Sequence, residues 1–275
     1  MPRIGLATVG LALLCSVSAS AQSEPPLNGN LPGKFTISAG GLLGANLDTK
    51  LRIDAKDGSL GTTIDLESLL GLNASTQSFA GAIAWRPHRK HLLTVGYYGL
   101  KRSNSKHISR DITVGDSTWT IGTTVTANMN TEYATLVYRW SPILTSRVSA
   151  GLSLVIPVVF ASSGLTAQAQ NITAKVNESN SITVPIPLPG VHATARLTNS
   201  LYLDGHFQYL NITVFGIGAD VINWAGTVNY YPIRQLGIAA GISGDRTTIN
   251  GDSGNWNGKL EYNVLGLAAY LTYVP

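Results

Sequence analysis

Residues 34–54 read KFTISAGGLLGANLDTKLRID, and apolar side chains alternate with polar or small ones through most of this stretch. Phe35, Ile37 and Leu43 fall on one parity, whereas Thr36 and its even-numbered neighbours fall on the other. Alternation with a period of two predicts a β-strand that has one apolar face. The stretch is far longer than an ordinary strand of about five or six residues. It is typical of a tilted strand that crosses a bilayer and continues beyond it.

The same alternation recurs along the rest of the chain. It gives ten apolar faces, and an even number of strands is the rule for bacterial single-chain barrels. The sequence therefore predicts an all-β protein, an antiparallel up-and-down transmembrane β-barrel of about 10 strands, with 8 or 12 as alternatives. The predicted apolar faces begin at Phe35, Phe79, Leu93, Ala134, Val148, Val191, Leu201, Ile222, Leu236 and Leu260.

The composition excludes several other classes of protein. Only 12% of the 275 residues are charged, against roughly 25% in soluble domains, and 44% are hydrophobic. Disorder needs low hydrophobicity with high charge, and past the N-terminus no apolar run approaches the roughly 20 residues of a membrane-spanning helix. A secreted antiparallel sandwich also alternates, but its polar face would carry more charge. The net charge of +4 is too small to indicate a nucleic-acid partner.

The ionisable residues of the predicted strands all fall on the polar parity. A charge on the lipid face costs about 2–4 kcal/mol near the bilayer midplane, so this parity is predicted to face the lumen. Eight strands already leave an interior that side chains fill. A lumen of ten strands is therefore expected to be narrow or blocked, lined either by an ion path or by paired charges. Besides Arg102 on the same parity, the predicted lumen-lining residues are Arg52, Asp54, Arg86, Arg139, Arg196, Asp204, His206 and Glu261. In the last strand the lipid face is assigned to Leu260, Tyr262, Val264, Gly266, Ala268 and Tyr270.

The N-terminus has the pattern of a secretory signal peptide. Arg3 gives a positive start, residues 4–15 are apolar, and Ala19-Ser20-Ala21 is a cleavage site of the A-x-A type. The segment is too short for a membrane anchor. We predict a signal peptide at residues 1–21, cleavage between Ala21 and Gln22, a flexible lead-in at residues 22–32, and a barrel at residues 33–275.

Short and long connections alternate between the predicted strands. The predicted long connections are residues 55–74, 104–121, 162–184 and 245–255, whereas the link near residues 214–219 is short. Short periplasmic turns and longer outer loops are the usual layout of outer-membrane barrels. Segment 162–184 is low in charge, and it is the candidate binding loop if the protein is an adhesin.

Leader, strand pattern and loops together resemble those of the small outer-membrane β-barrel proteins of Gram-negative bacteria. Residues 61–67 (GTTIDLE), followed by residues 70–72 (LGL), are similar to a stretch in uncharacterised members of this group. The resemblance implies an outer-membrane location, contact with outer-membrane lipid and lipopolysaccharide, and delivery by the barrel-insertion machinery. It carries no activity with it. The chain departs from the group at residues 273–275 (YVP), where such barrels usually end in Phe or Trp.

Asp204 and His206 are the candidates for catalysis. They are two positions apart, so they share one face of a strand, and an Asp that orients a His can activate water. The omptins, proteases built on ten-stranded barrels, are similar in having an Asp-x-His pair. They also have an acidic pair on the facing wall of the outer mouth. No Asp-x-Asp occurs in this chain, and Asp204 is expected near the periplasmic end. The alternative is a lumen hydrogen-bond network with Arg139 or Arg196.

The other motifs indicate no cofactor. The turn at residues 87–91 (PHRKH) carries His88 and His91, but a zinc site needs a third protein ligand. Cationic turns are usual beside lipid headgroups. The sequence has no Gly-rich phosphate loop and no nucleophile motif. We therefore expect no metal and a non-enzymatic barrel with a structural, surface-interaction or narrow-pore role. The alternatives are an outer-membrane hydrolase, or an adhesin that binds an extracellular ligand through its loops.

Overall fold

The computed structural model of the chain describes residues 34–54, 60–72, 75–76, 78–114, 117–169, 172–174, 187–214, 216–253 and 256–275. The predicted signal peptide, its cleavage site and the lead-in lie outside these residues. Within the described residues, no helix is long and apolar enough to cross a membrane. We number the ten long strands in chain order: β1 Phe35–Ile53, β2 Phe79–His88, β3 His91–His107, β4 Thr124–Leu144, β5 Val148–Ala169, β6 Leu188–Arg196, β7 Leu201–Val214, β8 Ile217–Ile233, β9 Leu236–Ser253 and β10 Trp256–Tyr273.

The ten strands form one closed antiparallel barrel. Each strand pairs with the strands before and after it in the chain. β10 pairs with β1 and completes the ring, with Tyr273 opposite Ile37 and Glu261 opposite Lys50. Closure gives every strand a partner on both sides, which is what hydrocarbon requires of backbone N–H and C=O groups. The predicted ten-stranded up-and-down barrel is confirmed.

Side chains alternate between the outer surface and the interior along each strand. In β4, Leu136 and Trp140 are 44% and 41% exposed, while Val137 and Arg139 are 2% and 3% exposed. The outward side chains form an apolar belt around the barrel. On several strands this belt ends toward the same end of the barrel, and the first polar outward residues beyond it are Asn46, Lys101, Glu132, Asp220, Arg246 and Asn263.

The inward face changes parity within β1. The register between β1 and β10 shifts between Leu43 and Asn46. Leu43 is 50% exposed and Leu47 is 5% exposed, although both have odd numbers. Gly266 of β10 lies beside the shift, and a Cβ on it would come within 3.2 Å of Ala45. A glycine is used here because the two backbones approach closely.

The predicted lipid face of β10 is wrong. Tyr262 and Tyr270 point into the barrel and are 2% and 6% exposed, whereas Leu267 and Leu271 are 62% and 66% exposed. Both faces of this strand carry large apolar side chains, so hydrophobicity does not distinguish the lipid side from the lumen side.

Short turns join the strands at one end of the barrel, which we call the short-turn end, and the three longest connections lie at the other, the long-loop end. At that second end the strands continue farther than predicted. β9 and β10 stay paired up to Ser253 and Trp256, so the predicted long connection 245–255 is wrong. β5 likewise runs to Ala169 and pairs with β4, which places residues 162–169 in the barrel wall. Beyond the belt these strands carry polar and small residues, so the alternation fades while the backbone ladder continues.

β2 is much shorter than its neighbours, with 10 residues against 19 in β1 and 17 in β3. Residues 60–72, which connect β1 toward β2, occupy the space beyond its end. Ile64 pairs with Leu51 of β1, and the side-chain amide of Asn104 in β3 donates to the carbonyl of Leu70, 3.1 Å away. This connection therefore completes the wall between β1 and β3.

Candidate functional site

Residues 61–72 lie in the wall between β1 and β3 and turn their apolar side chains into the barrel interior at the long-loop end. We call this segment the lumen plug. Its apolar side chains are buried: Ile64 2%, Leu66 6%, Leu69 8%, Leu70 1% and Leu72 3% exposed. They pack in one cluster with inward residues of the wall, which include Leu42, Leu47, Leu51, Tyr98, Leu100, Tyr133, Leu260 and Tyr262. Apolar side chains from residues 61–72 and from several strands therefore pack together across the interior at this level.

Glu67 is the polar anchor of the lumen plug. Its carboxylate accepts hydrogen bonds from the backbone N–H and the hydroxyl of Thr49 in β1, at 2.7 and 2.8 Å. On its other side the carboxylate forms an ion pair with Arg102 of β3, whose side chain is 1% exposed. Arg102 also donates to Thr49 Oγ1, 3.3 Å away. One carboxylate thus joins β1, β3 and the lumen plug.

The backbone of the lumen plug forms a compact turn. The Asp65 carboxylate accepts a hydrogen bond from the Ser68 N–H at 2.7 Å, and the Asp65 carbonyl accepts one from the Leu69 N–H at 2.9 Å. Gly71 has a φ of 70°, a left-handed conformation that suits glycine and ends such a turn. The Lys106 ammonium of β3 donates to the Ser68 carbonyl at 2.6 Å. The turn is therefore fixed both internally and to the wall.

The interior at the short-turn end is polar. Arg139 of β4 and Asp204 of β7 form an ion pair at 3.3 Å, and their side chains are 3% and 1% exposed. The Thr194 hydroxyl of β6 donates to the same carboxylate at 2.7 Å. Two strands intervene between β4 and β7, so this pair links parts of the wall that have no backbone ladder in common.

A second set of hydrogen bonds runs along the inner wall from β7 to β9. His206 Nε2 lies 3.2 Å from Asn223 Oδ1. The Asn223 amide donates to the Asp245 carboxylate at 3.1 Å, which also accepts from the Thr247 hydroxyl at 2.9 Å. Polar side chains of three neighbouring strands therefore satisfy one another inside the barrel.

Four of the eight predicted lumen-lining residues point inward. Arg86, Arg139, Asp204 and His206 are 8%, 3%, 5% and 6% exposed. The guanidinium of Arg86 donates to the carbonyl of Arg89 at 3.2 Å, so it braces the β2–β3 turn from inside. Arg196, another predicted lumen residue, lies at the end of β6 and is half-buried.

The prediction that Arg52 and Glu261 line the lumen is wrong. Arg52 lies above the register shift of β1, where its side chain is 30% exposed, and it donates two hydrogen bonds to Asp54 at 2.9 and 3.1 Å. Asp54 also accepts from the Gly61 N–H at 2.9 Å, so it holds the start of the lumen plug at the mouth. Glu261 is 32% exposed and pairs with Lys259 on the outer surface.

The Asp204–His206 pair lies beneath the lumen plug and not in an outer mouth. The Asp204 carboxylate is engaged by Arg139 and Thr194, and His206 lies against Asn223. These contacts join β7 to its neighbours β6 and β8 and to the more distant β4, and they suit a role in holding the interior together.

The two histidines beside the β2–β3 turn form hydrogen bonds within the turn and with the neighbouring strand β4. His91 Nδ1 lies 2.7 Å from the Tyr138 hydroxyl, and the Lys90 N–H donates to His88 Nδ1 at 3.3 Å. Among the described residues, no group of three or more His, Cys, Asp or Glu could hold a metal ion.

Sequence reasoning does not find Glu67 or Asp245. Glu67 lies in a segment predicted to be an outer loop, and Asp245 begins a second one. The segment that contains Glu67 does carry one signal, the apolar residues Ile64, Leu66 and Leu69. Such a run is not expected in a solvated loop, and it indicates burial.

Comparison with known proteins supports the fold alone. No protein-family model matches the chain, and no curated protein matches it either. Among solved structures, the outer membrane protease OmpT from Escherichia coli is 13% identical, covers 87% of this chain and 97% of its own, and superposes with a TM-score of 0.54. The likeness is one of architecture. Ail of Yersinia pestis (9% identity, 87% and 99% coverage, TM-score 0.30) and a Pseudomonas aeruginosa FadL homologue (9%, 87% and 90%, 0.34) are too dissimilar to support an argument.

Proposed function

We propose that this protein is an outer-membrane β-barrel that is closed to conduction and acts through its outer surface. The lumen plug carries the proposal. Its buried leucines and the Glu67–Arg102 ion pair occupy the space that a water column would need. The signal peptide at residues 1–21 accounts for export and belongs to the same proposal.

The apolar belt supports the membrane location. A tilted strand needs about 9–11 residues to cross a bilayer, whereas β4 and β5 have 21 and 22 residues, and β9 and β10 have 18 each. The surplus length lies beyond the belt at the long-loop end. These strands therefore cross the membrane and then project from it as a wall.

The projecting wall is the surface that would meet outside partners. Its outward side chains carry both signs of charge, including the exposed Lys101 and Arg246 and the half-buried Glu132. Cations immediately above an apolar belt lie at the level of the outer headgroups, so lipopolysaccharide is the first partner that we propose. The barrel-insertion machinery is the second, because a closed barrel must be delivered to this membrane.

A direct test uses the refolded full chain in phospholipid vesicles. Heat-modifiable mobility on a gel reports a folded barrel, and liposome swelling in small sugars reports an open lumen. We expect the folded band without swelling. Swelling at the rate of an open porin would overturn the closed lumen, and loss of heat-modifiable mobility in every lipid would overturn the membrane barrel itself.

A narrow pore is the second candidate, because the interior at the short-turn end is polar. Buried Arg86, Arg139, Asp204 and Asp245 would set ion selectivity if the lumen plug left its position. A slow, charge-selective ion flux in otherwise swelling-resistant vesicles would favour this candidate.

Hydrolysis is the alternative with the least structural support, since Asp204 is engaged by Arg139. Its test is turnover of a peptide and ester panel by the wild type, Asp204→Asn and His206→Ala. Turnover that both substitutions abolish in folded protein would make the protein an enzyme, contrary to our proposal.

A further inference from the structure

The exposed charged side chains at the short-turn end of the barrel are all basic. We call this set the basic rim, and it consists of Lys34, Arg89, Lys90, Arg147 and Arg234. Among the described residues that are exposed at this end, none has a carboxylate side chain. The described acidic residues lie either inside the lumen or toward the long-loop end.

The basic rim runs around the barrel and does not form a single patch. Lys34 precedes β1, Arg89 and Lys90 form the β2–β3 turn, Arg147 lies in the β4–β5 turn, and Arg234 lies in the β8–β9 turn. The remaining turn, between β6 and β7, follows a half-buried cation, Arg196. Every turn at the short-turn end of the barrel is therefore entered or made by a basic residue.

The long-loop end has a different charge pattern. There, two cations on the outer surface form ion pairs with neighbouring carboxylates. Lys50 lies 3.2 Å from Asp48, and Lys259 pairs with Glu261. Such pairs largely cancel each other's field, so the two ends differ in the charge that they offer to a partner.

Large apolar side chains are exposed beside the cations of the basic rim. Phe35 next to Lys34 is 49% exposed, and Ile233 next to Arg234 is 54% exposed. Aromatic rings at the same end include Trp85, Trp140, Tyr230 and Tyr273. Aromatic rings and long cationic side chains take up positions at the membrane interface, with apolar parts in lipid and polar ends among headgroups. The basic rim thus lies at headgroup level.

We infer that the basic rim binds the headgroups of anionic phospholipids in the leaflet at the short-turn end. The inference rests on the proposed membrane location. A lipid fits better than a soluble protein or a wall polymer, because the cations encircle the barrel next to side chains that need hydrocarbon. Near an anionic surface each Lys or Arg contributes about 1 kcal/mol, which corresponds to about a fivefold preference for an anionic headgroup at that site.

The test compares two variants with equal changes of charge. The rim variant carries Lys34→Gln, Arg89→Gln, Arg147→Gln and Arg234→Gln. The control variant carries Lys50→Gln, Lys106→Gln, Arg110→Gln and Lys259→Gln at the opposite end, four cations that lie away from the apolar belt. Each full-length protein is refolded in phosphatidylcholine vesicles that contain brominated phosphatidylglycerol or brominated phosphatidylcholine. Quenching of tryptophan fluorescence, to which Trp85 and Trp140 contribute beside the turns, gives the relative affinity for the two lipids.

We expect the wild type and the control variant to prefer phosphatidylglycerol several-fold, and the rim variant to lose the preference. In 1 M salt the Debye length falls to about 3 Å, so the wild-type preference should also decline there. Equal quenching of the wild type by both lipids, or a preference that survives in the rim variant, overturns the inference.

Other outcomes are also decisive. If the wild type shows no lipid preference but binds purified cell wall through the rim cations, the partner is the wall polymer and the lipid inference is overturned. If neither brominated lipid quenches and no heat-modifiable band forms, the membrane location itself fails. Should the rim variant not fold, the salt titration of the wild type decides.

Discussion

Glu67 and Arg102 form an ion pair inside the barrel although 35 positions separate them in the chain. Arg102 is on the inward face of β3, and Glu67 reaches it because residues 61–72 fold back between β1 and β3. The pair converts a connection that would otherwise be a surface loop into part of the barrel interior.

Removing either partner of this pair should destabilise the barrel. A buried charge that loses its partner costs about 3–5 kcal/mol. We therefore expect Glu67→Ala and Arg102→Ala each to lower the free energy of unfolding by about that amount, measured by urea titration in vesicles. The double variant should cost less than the sum of the two, because it leaves no buried charge alone. Strict additivity would show that the two side chains are not coupled.

The apolar packing of the lumen plug predicts a contrast between two leucines. Leu70 is 1% exposed and Leu60 is 73% exposed. Truncation of a buried leucine costs about 2–5 kcal/mol, whereas exposed positions usually change stability by under about 0.5 kcal/mol. Leu70→Ala should thus lower the urea midpoint and Leu60→Ala should not. Equal midpoints for both variants would mean that the plug is not packed in the lumen.

The Arg139–Asp204 pair predicts a further difference between carboxylates. Asp204→Asn removes the carboxylate that forms the ion pair with the buried Arg139 and is expected to cost about 3 kcal/mol or more. Asp220→Asn, on the half-exposed outer surface of β8, serves as the control and should be nearly neutral. The measurement is again the free energy of unfolding, and a neutral Asp204→Asn would contradict the buried pair.

An arginine placed at two positions of β10 tests which face of this strand meets lipid. Leu267→Arg places a cation on the lipid face within the belt, where it should cost about 2–4 kcal/mol. Glu261→Arg places the same residue on the same face above the belt, where the cost should fall to about 0–1 kcal/mol. Yield of heat-modifiable protein and urea stability report both. If Leu267→Arg is tolerated as well as Glu261→Arg, then Leu267 does not face lipid.

The barrel itself could be predicted from the sequence because lipid imposes a simple rule on each strand. Where one face meets hydrocarbon and the other a polar interior, as in β4 and β7, apolar and polar residues must alternate. The rule gave the number of strands, and it placed Arg139 and Asp204 on the face that the structure buries. It fails in β10, because Tyr262 and Tyr270 make the interior face apolar too.

The lumen plug and the contacts that hold it could not be predicted in the same way. The shift in register near Ala45 reverses the two faces of β1, and neither residue type nor spacing marks it. Arg52 consequently falls on the outer surface. The role of Glu67 could not be predicted for another reason. Its partner Arg102 lies near it only because the strands close into a ring and because β2 is short. Contacts between segments distant in the chain leave little local trace.

Single-channel conductance of the refolded full chain in a planar bilayer tests the closed lumen most directly. The wild type should be silent. Glu67→Lys places a second cation against Arg102, and the repulsion should expel the lumen plug and give discrete current steps. Glu132→Lys, with the same change of charge on the outer wall, should stay silent. Steady conductance of the wild type, or a folded but silent Glu67→Lys variant, would contradict a lumen that residues 61–72 keep closed.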